Sequence, residues 1–313
     1  MELSTRLGET VGGSGGGHYT NSEIEKLRAE AVARMEQARA EASINELLQT
    51  ELVAINDRDV EFVREQLDAI EDSLRDEGLD VDRLLFGGSI AKHTYVDGLS
   101  DIDSLVILRG ESEGLEPQKA RERVAEALRA HLRHRDVADI SVGRLAVTVT
   151  FQNGTEVQLL PAVETNARLA IASADGKRWS AINPSRFAER LTEANQRQGG
   201  LVIPTVKLAK AIFDHRLGEN RPSGYHTEAL AVEAFRDYVG PRTPKAMVTH
   251  FLDFASRSVL HPIVDVTGQS SHVDDSLGSP DSAARRRLSE AIGTLARVAS
   301  TATSPRQWRD LLG

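Results

Sequence analysis

A chain of 313 residues, 40% apolar and 27% charged, has the balance of a globular protein with one large or two medium cores. Its formal net charge of −9 argues against strong non-specific binding to nucleic acid, and the absence of cysteine excludes disulfides and thiolate-bound zinc. No apolar run approaches the roughly 18 residues of a membrane span and no signal peptide is recognised, so no membrane partner and a cytoplasmic location are expected.

Residues 1–20, with Gly12-Gly13-Ser14-Gly15-Gly16-Gly17, are expected to be a flexible tail or an engineered linker. Residues 21–78 read as one or two long spine helices. Ser22 and Glu25 have capping-box spacing, and Ile24, Leu27, Ala31 and Met35 follow at helical intervals. Leu47, Leu48, Leu52, Ile55, Phe62, Leu67, Ile70 and Leu74 continue the pattern.

Residues 79–175 read as an α/β unit with a mixed sheet. Leu84–Phe86 and Ile102–Leu108 are predicted strands, and a helix is predicted from Pro117 to about Arg133. From Asp139, apolar residues at Ile140, Val142, Leu145, Val147, Val149 and Phe151 fall mostly two apart, which predicts a strand bulged near Gly143-Arg144. Asn153-Gly154 signals a hairpin turn into a strand from Glu156 to Pro161. Residues 176–313 are helical in pattern, with loops at Asn183-Pro184, Gly199-Gly200, Pro222-Ser223-Gly224 and Gly240–Pro244, and Arg285-Arg286-Arg287 reads as a solvated helix face. The fold class is α/β (α+β): a spine, a catalytic lobe and a helical lobe, with the active site expected in the cleft between the lobes.

The run Leu84 to Leu108 carries the most chemistry. Asp101 and Asp103 share a strand face and are suited to a divalent metal. Gly87-Gly88-Ser89 opens a short helix, where free N–H groups favour a phosphate. A phosphate cradle beside paired carboxylates is what metal-assisted nucleotidyl transfer requires.

Gly88-Ser89, eleven residues, then Asp101-x-Asp103 resembles the signature of the DNA polymerase beta-like nucleotidyltransferases. The Ser-Asp-Ile-Asp wording and its flanks resemble the bacterial cGAS/DncV-like nucleotidyltransferases (CD-NTases), over about residues 40–300. The resemblance implies a polymerase beta-like core with an N-terminal spine helix and a C-terminal helical lobe. It also implies Mg²⁺ (or Mn²⁺) as cofactor, NTP or dNTP substrates, an oligonucleotide product and a separate effector that responds to it.

That resemblance also places a third acid just before a short apolar stretch and Pro-Ala. Leu159-Leu160-Pro161-Ala162 matches the context, but the acid position holds Gln158. Two Mg²⁺ ions roughly 3.5–4 Å apart call for anionic ligands. Either Gln158 coordinates weakly beside Asp101, Asp103 and the triphosphate, or Glu156 on the same strand face takes over, or the chemistry has been lost or changed, or the Gln is an engineered substitution.

Family members bind triphosphate with a Lys on one helix and a Ser in a Ser-x-x-x-Glu segment on the next. Lys207 and Lys210, otherwise expected to be solvated, fall on the first. Ser223-Gly224-Tyr225-His226-Thr227-Glu228 resembles the second, with Gly224 at the strict Ser position and Ser223 one residue off. Tyr225 suits base stacking or a core position, and His226 reads as structural. His261-Pro262-Ile263-Val264-Asp265 resembles a C-terminal loop of the family that lines the far side of the cleft.

Overall fold

A computed structural model of the chain describes residues 20–56, 60–76, 79, 81–85, 102–110, 114–132, 136–165, 168–173, 176–182, 184–265, 272–274 and 277–313. Two helices, α1 (Asn21–Asn56) and α2 (Val60–Asp76), precede strands β1 (Val81–Leu85) and β2 (Ile102–Leu108). Helix α3 (Pro117–His131) leads to β3 (Val137–Val142), β4 (Val147–Phe151), β5 (Glu156–Thr165), β6 (Arg168–Ala172) and β7 (Trp179–Ile182). Helices α4 (Pro184–Arg197), α5 (Val202–Leu217), α6 (Gly224–Ala234), α7 (Pro244–Ser258), α8 (Ala283–Thr301) and α9 (Pro305–Leu312) follow.

The described strands form one mixed sheet in the order β1-β2-β5-β4-β3, with β6 and β7 continuing from β5. Its centre is β5. One edge runs parallel to the whole of β2, from Ile102↔Val157 to Leu108↔Val163. The other edge is shared: Glu156–Leu159 pair antiparallel with β4, and Ala162–Thr165 with β6. Pro161 stands where the partner changes, between the last β4 pair and the first β6 pair, a position at which a missing N–H is tolerated.

Alternation along the strands separates two faces. Val106, Leu108, Val147, Val149, Phe151, Val157, Leu159 and Val163 point into a core shared with α2 (Leu67, Ile70, Leu74) and α3 (Val124, Leu128). The opposite face carries a smaller cluster of Leu105, Ile107, Ala162 and Ile171. A third, helical core joins α1 (Ile44, Leu47, Leu48) to α4–α9, out to Trp308 and Leu311. The two helices of the N-terminal region therefore serve different cores.

Four sequence readings are corrected. The capping box at the start of α1 is Thr20 with Glu23, one turn's edge earlier than Ser22 with Glu25: the Glu23 N–H donates to Thr20 Oγ1 (3.3 Å) and the Thr20 N–H donates to Glu23 Oε2 (2.7 Å). The break at Gly143-Arg144 is a tight reversal, closed by the Gly143 N–H on the Ala146 carbonyl (2.8 Å), and β3 and β4 lie antiparallel on either side of it. The segment after Thr165 adds two strands, β6 and β7, before the helices begin. The fourth is Arg285, expected on a solvated face.

Arg285 is fully buried, whereas Arg286 and Arg287 are exposed. Its guanidinium ion-pairs with buried Asp274 and donates to the carbonyls of Val259 (3.0 Å) and Gly278 (3.0 Å). Asp274 Oδ1 accepts from the Ile263 N–H (3.1 Å). This clamp ties Val259, Ile263, Asp274 and Gly278 to α8.

Removing one member of a buried pair leaves an uncompensated charge, which costs about 3–5 kcal/mol. Arg285→Met is expected to lose about that much in urea unfolding. Adding Asp274→Asn should cost less than the two single changes summed, because no lone charge remains.

Candidate functional site

The described site residues form two groups. The first lies on the sheet. The parallel register sets Asp103 of β2 directly opposite Gln158 of β5, and the antiparallel register sets Thr148 of β4 on the other side of Gln158. Positions 103 and 158 share strand parity with Leu105, Ile107 and Leu160, so they belong to the face away from the α2–α3 core. Gln158 is half-buried there and Glu156 is exposed. Glu156 accepts from Thr150 Oγ1 (3.3 Å). Gly88, Ser89 and Asp101 lie outside the described residues.

Among the described residues no three His, Asp or Glu side chains gather closely enough to hold a metal ion. Among the described residues the register sets a carboxylate residue, 103, opposite an amide residue, 158, with Glu156 two positions earlier on β5, all oxygen-bearing types. Oxygen donors of this kind fit Mg²⁺ or Mn²⁺ rather than a soft metal. The charge they carry is one unit lower than three acids would give.

The second group lies where α5 meets α6. Helix α5 is apolar nearly all round, and Val206, Leu208, Ala209, Ala211, Ile212 and Phe213 are all buried. Lys207 and Lys210, one turn apart, are therefore buried too, at 6% and 7% exposure, and not solvated as expected. A buried ammonium requires a partner. Lys210 Nζ lies 3.0 Å from Glu228 Oε1 on α6, itself 1% exposed. Glu228 is the partner that the sequence left unassigned, and an all-apolar helix carrying two lysines was the signal for it.

Helix α6 begins beside Lys210. Ser223 is its N-cap, and Ser223 Oγ accepts from the His226 N–H at 3.1 Å. That bond uses the oxygen as acceptor and leaves the hydroxyl its donor. Gly224, at the strict position of the family's Ser, packs against Lys210: a Cβ there would stand 3.4 Å from Nζ. The N-terminal end of this helix, the Ser223 hydroxyl and Lys207 are groups of the kind that favour an anion, with Lys210 beside them paired to Glu228.

Tyr225 is half-buried against the helical core, edge-on to Phe187 at a ring separation of 4.7 Å, and its hydroxyl donates to Asp265 Oδ1 at 2.8 Å. Of the two roles expected for it, packing is the one its described contacts make. His261–Asp265 is tied down by that bond and by Ile263 on Asp274.

Behind the α6 start lies His226, 3% exposed, with Nε2 3.5 Å from Asp274 Oδ2. Burial pushes its pKa down to about 4. Asp274 opposes this and Arg285 adds to it. His226 is thus neutral at pH 7 and structural, as its sequence context suggested.

Neither a protein-family model nor a curated protein matches the chain in sequence. Solved structures do match in shape. CdnC of E. coli MS115-1, solved with ATP, aligns with a TM-score of 0.61 at 17% identity, covering 88% of this chain and 95% of CdnC. The CD-NTase CdnG of Bradyrhizobium diazoefficiens, in complex with GTP, gives 0.61 at 16% identity over 88% and 94%. The Vibrio cholerae DncV cyclic AMP-GMP synthase, with the linear intermediate 5′ pppA(3′,5′)pG, gives 0.58 at 14% identity over 94% and 90%. The chain has the CD-NTase fold. The mixed sheet, the spine helices and the helical lobe expected from the sequence are those of this fold, which carries the register of Asp103 on Gln158. No described helix is long and apolar enough to cross a membrane.

Because the folded state holds His226 near pKa 4 against 6.5 for a free histidine, the unfolded chain takes up a proton between these values that the folded protein excludes. This contribution is full above about pH 6.5 and is lost as pH falls toward 4. Urea unfolding at pH 7 and pH 5 should show the wild type losing about 2 kcal/mol more than His226→Gln.

Proposed function

We propose that this chain is a template-independent nucleotidyltransferase that joins NTPs or dNTPs into a cyclic or linear oligonucleotide, a signal read by a separate effector in bacterial antiphage defence. The observation that carries this reading is the register of Asp103 against Gln158 at the centre of a CD-NTase sheet. The ATP bound to CdnC, the GTP bound to CdnG and the linear intermediate bound to DncV support NTPs as substrates.

In this reading Gly88, Ser89, Lys207 and Ser223 hold the triphosphate, with Lys210 kept behind them by Glu228. Asp101 and Asp103, with the neutral Gln158, would hold Mg²⁺ or Mn²⁺, which supplies charge neutralisation and activation of the attacking hydroxyl. The residues align that hydroxyl with the α-phosphate so that pyrophosphate leaves in line, and fixed positive groups offset the developing charge. Glu156, two residues away on the same strand, would in this reading compensate for the missing charge of Gln158.

Gln158 also favours a second reading, in which the chain is a weakened or non-catalytic nucleotide-binding regulator. A third keeps the chemistry but extends a polymer end or a protein-attached primer.

Purified protein incubated with labelled NTPs and dNTPs and Mg²⁺ or Mn²⁺ should yield a phosphatase-resistant product whose mass separates a cycle from a linear oligomer. Asp103→Ala should lower its formation by on the order of 10²-fold or more. Unchanged turnover in Asp103→Ala overturns the assignment. Nucleotide binding without product, converted to turnover by Gln158→Asp, establishes the regulator reading instead.

A further inference from the structure

Helix α1 is 36 residues long, and its packing into the helical core begins only at Ile44. Ile44, Leu47 and Leu48 enter that core. Asn45 and Glu41 tie the helix to the start of α7, accepting from the Lys245 N–H (2.9 Å) and from Lys245 Nζ (3.2 Å). Before Ile44, from Asn21 to Ser43, every residue is exposed except Ile24 and Ala40, which are half-buried. Helices in proteins owe most of their stability to the packing of one face, and this stretch has no such packing within its own fold.

The stretch nevertheless carries an apolar stripe. Ile24, Leu27, Ala31, Met35, Ala38 and Ala42 follow one another at intervals of 3, 4, 4, 3 and 4. At about 100° per residue they fall within roughly 80° of one another. Leu27 is 50% exposed and Met35 59%. By the same count the face bearing Ile44, Leu47 and Leu48 lies roughly 150° further round the helix. The stripe thus faces away from the side that packs into the core, and a second helix can lie along it without meeting that packing. A row of apolar side chains left open over five turns marks an interaction surface.

The order of sizes along the stripe selects its occupant. Turned end for end about a point between Ala31 and Met35, the stripe sets Ile24 against Ala42, Leu27 against Ala38 and Ala31 against Met35. Every layer then joins a large side chain to an alanine, the alternation that lets two helices interdigitate. A parallel pair in register would instead stack alanine on alanine at positions 31, 38 and 42 and leave gaps there. The flanking charges offset one another. Glu30, 3.9 Å from Arg34 on its own helix, would meet Arg34 of the second copy, while Arg28 would meet Arg39. The apolar layers therefore decide the pairing.

We infer that the first half of α1 is a self-association surface, on which a second copy of this chain lays the same stripe antiparallel. The contact runs for about 28 Å along the helix axis. An interface of two single helices falls at or below the low end of specific complexes, about 1,200 Å², so association is expected in the micromolar range. The surface involves neither the sheet group nor the α5–α6 group and does not depend on the proposed activity.

The test is sedimentation of the full chain from about 1 to 200 µM, a span that brackets micromolar affinities. The wild type should pass from monomer to dimer. Leu27→Glu and Met35→Glu, both at exposed positions, should each weaken the dimer about tenfold or more and leave thermal unfolding of the dilute monomer unchanged. Cysteine cross-linking reads the direction, since the natural chain has no cysteine. Under mild oxidation Ile24→Cys copies should link to Ala42→Cys copies when the two are mixed, and neither should link to itself. A monomer at every concentration overturns the pairing and leaves the stripe to a partner other than this chain. A dimer of undiminished affinity in both glutamate variants overturns this surface, and self-linking of each cysteine variant alone overturns the antiparallel arrangement.

Discussion

The parallel seam between β2 and β5 is the constraint from which the sheet site follows. Parallel strands cannot be joined by a tight turn, and α3 with the β3–β4 hairpin is part of the chain that intervenes between them. The seam runs unbroken from Ile102 to Leu108, with Val106, Leu108, Val157, Leu159 and Val163 all committed to the core beneath α2 and α3. A slip of one residue would turn those side chains to the wrong face and separate position 103 from position 158. The apolar core therefore fixes the polar geometry above it, and the half-buried Gln158 is held between two neighbouring strands that have no freedom to move apart.

Where the sequence was legible, one periodicity governed a segment without competition. The strand at Ile102–Leu108, the helix from Pro117 and the turn at Asn153-Gly154 are of this kind. Strands β6 and β7 escaped notice because Arg168–Ala172 and Trp179–Ile182 are short and lack a clean alternation, so only their pairing to β5 and to each other defines them. The Gly143-Arg144 break was seen but misread, since a bulge and a reversal leave similar two-residue patterns and differ only in whether the strands on either side pair with each other.

The candidate site was legible in residue types and not in relations. That Gln158 stands in an acid's place came from its neighbours in sequence. That it faces position 103 required the sheet register, and that Lys210 is bound to Glu228 required the packing of α5 on α6. Arg285 shows the same limit from the other side. A run of three arginines looks solvated, yet Arg285 falls in step with Leu288, Ile292, Leu295 and Ala299, the buried stripe of α8, and that spacing was the available signal. Burial decides what a charged residue does, and the position of a charge on its helix decides burial.

The arrangement of the cores along the chain has a consequence for how the molecule assembles. The core beneath the sheet is closed by residues between Leu67 and Trp179, one continuous stretch. The helical core needs Ile44, Leu47 and Leu48 from before that stretch together with residues from Phe187 to Leu311 after it. The first closes within that one stretch, while the second must bring together segments that lie on either side of it, more than a hundred positions apart. The sheet unit is in effect an insertion that shortens this distance once it has folded, because its two chain ends then leave a compact body in place of a long coil. During synthesis the half of the molecule bearing Asp103 and Gln158 would be in place first, and the exposed apolar stripe of α1 at Ile44–Leu48 would wait for the helices that cover it.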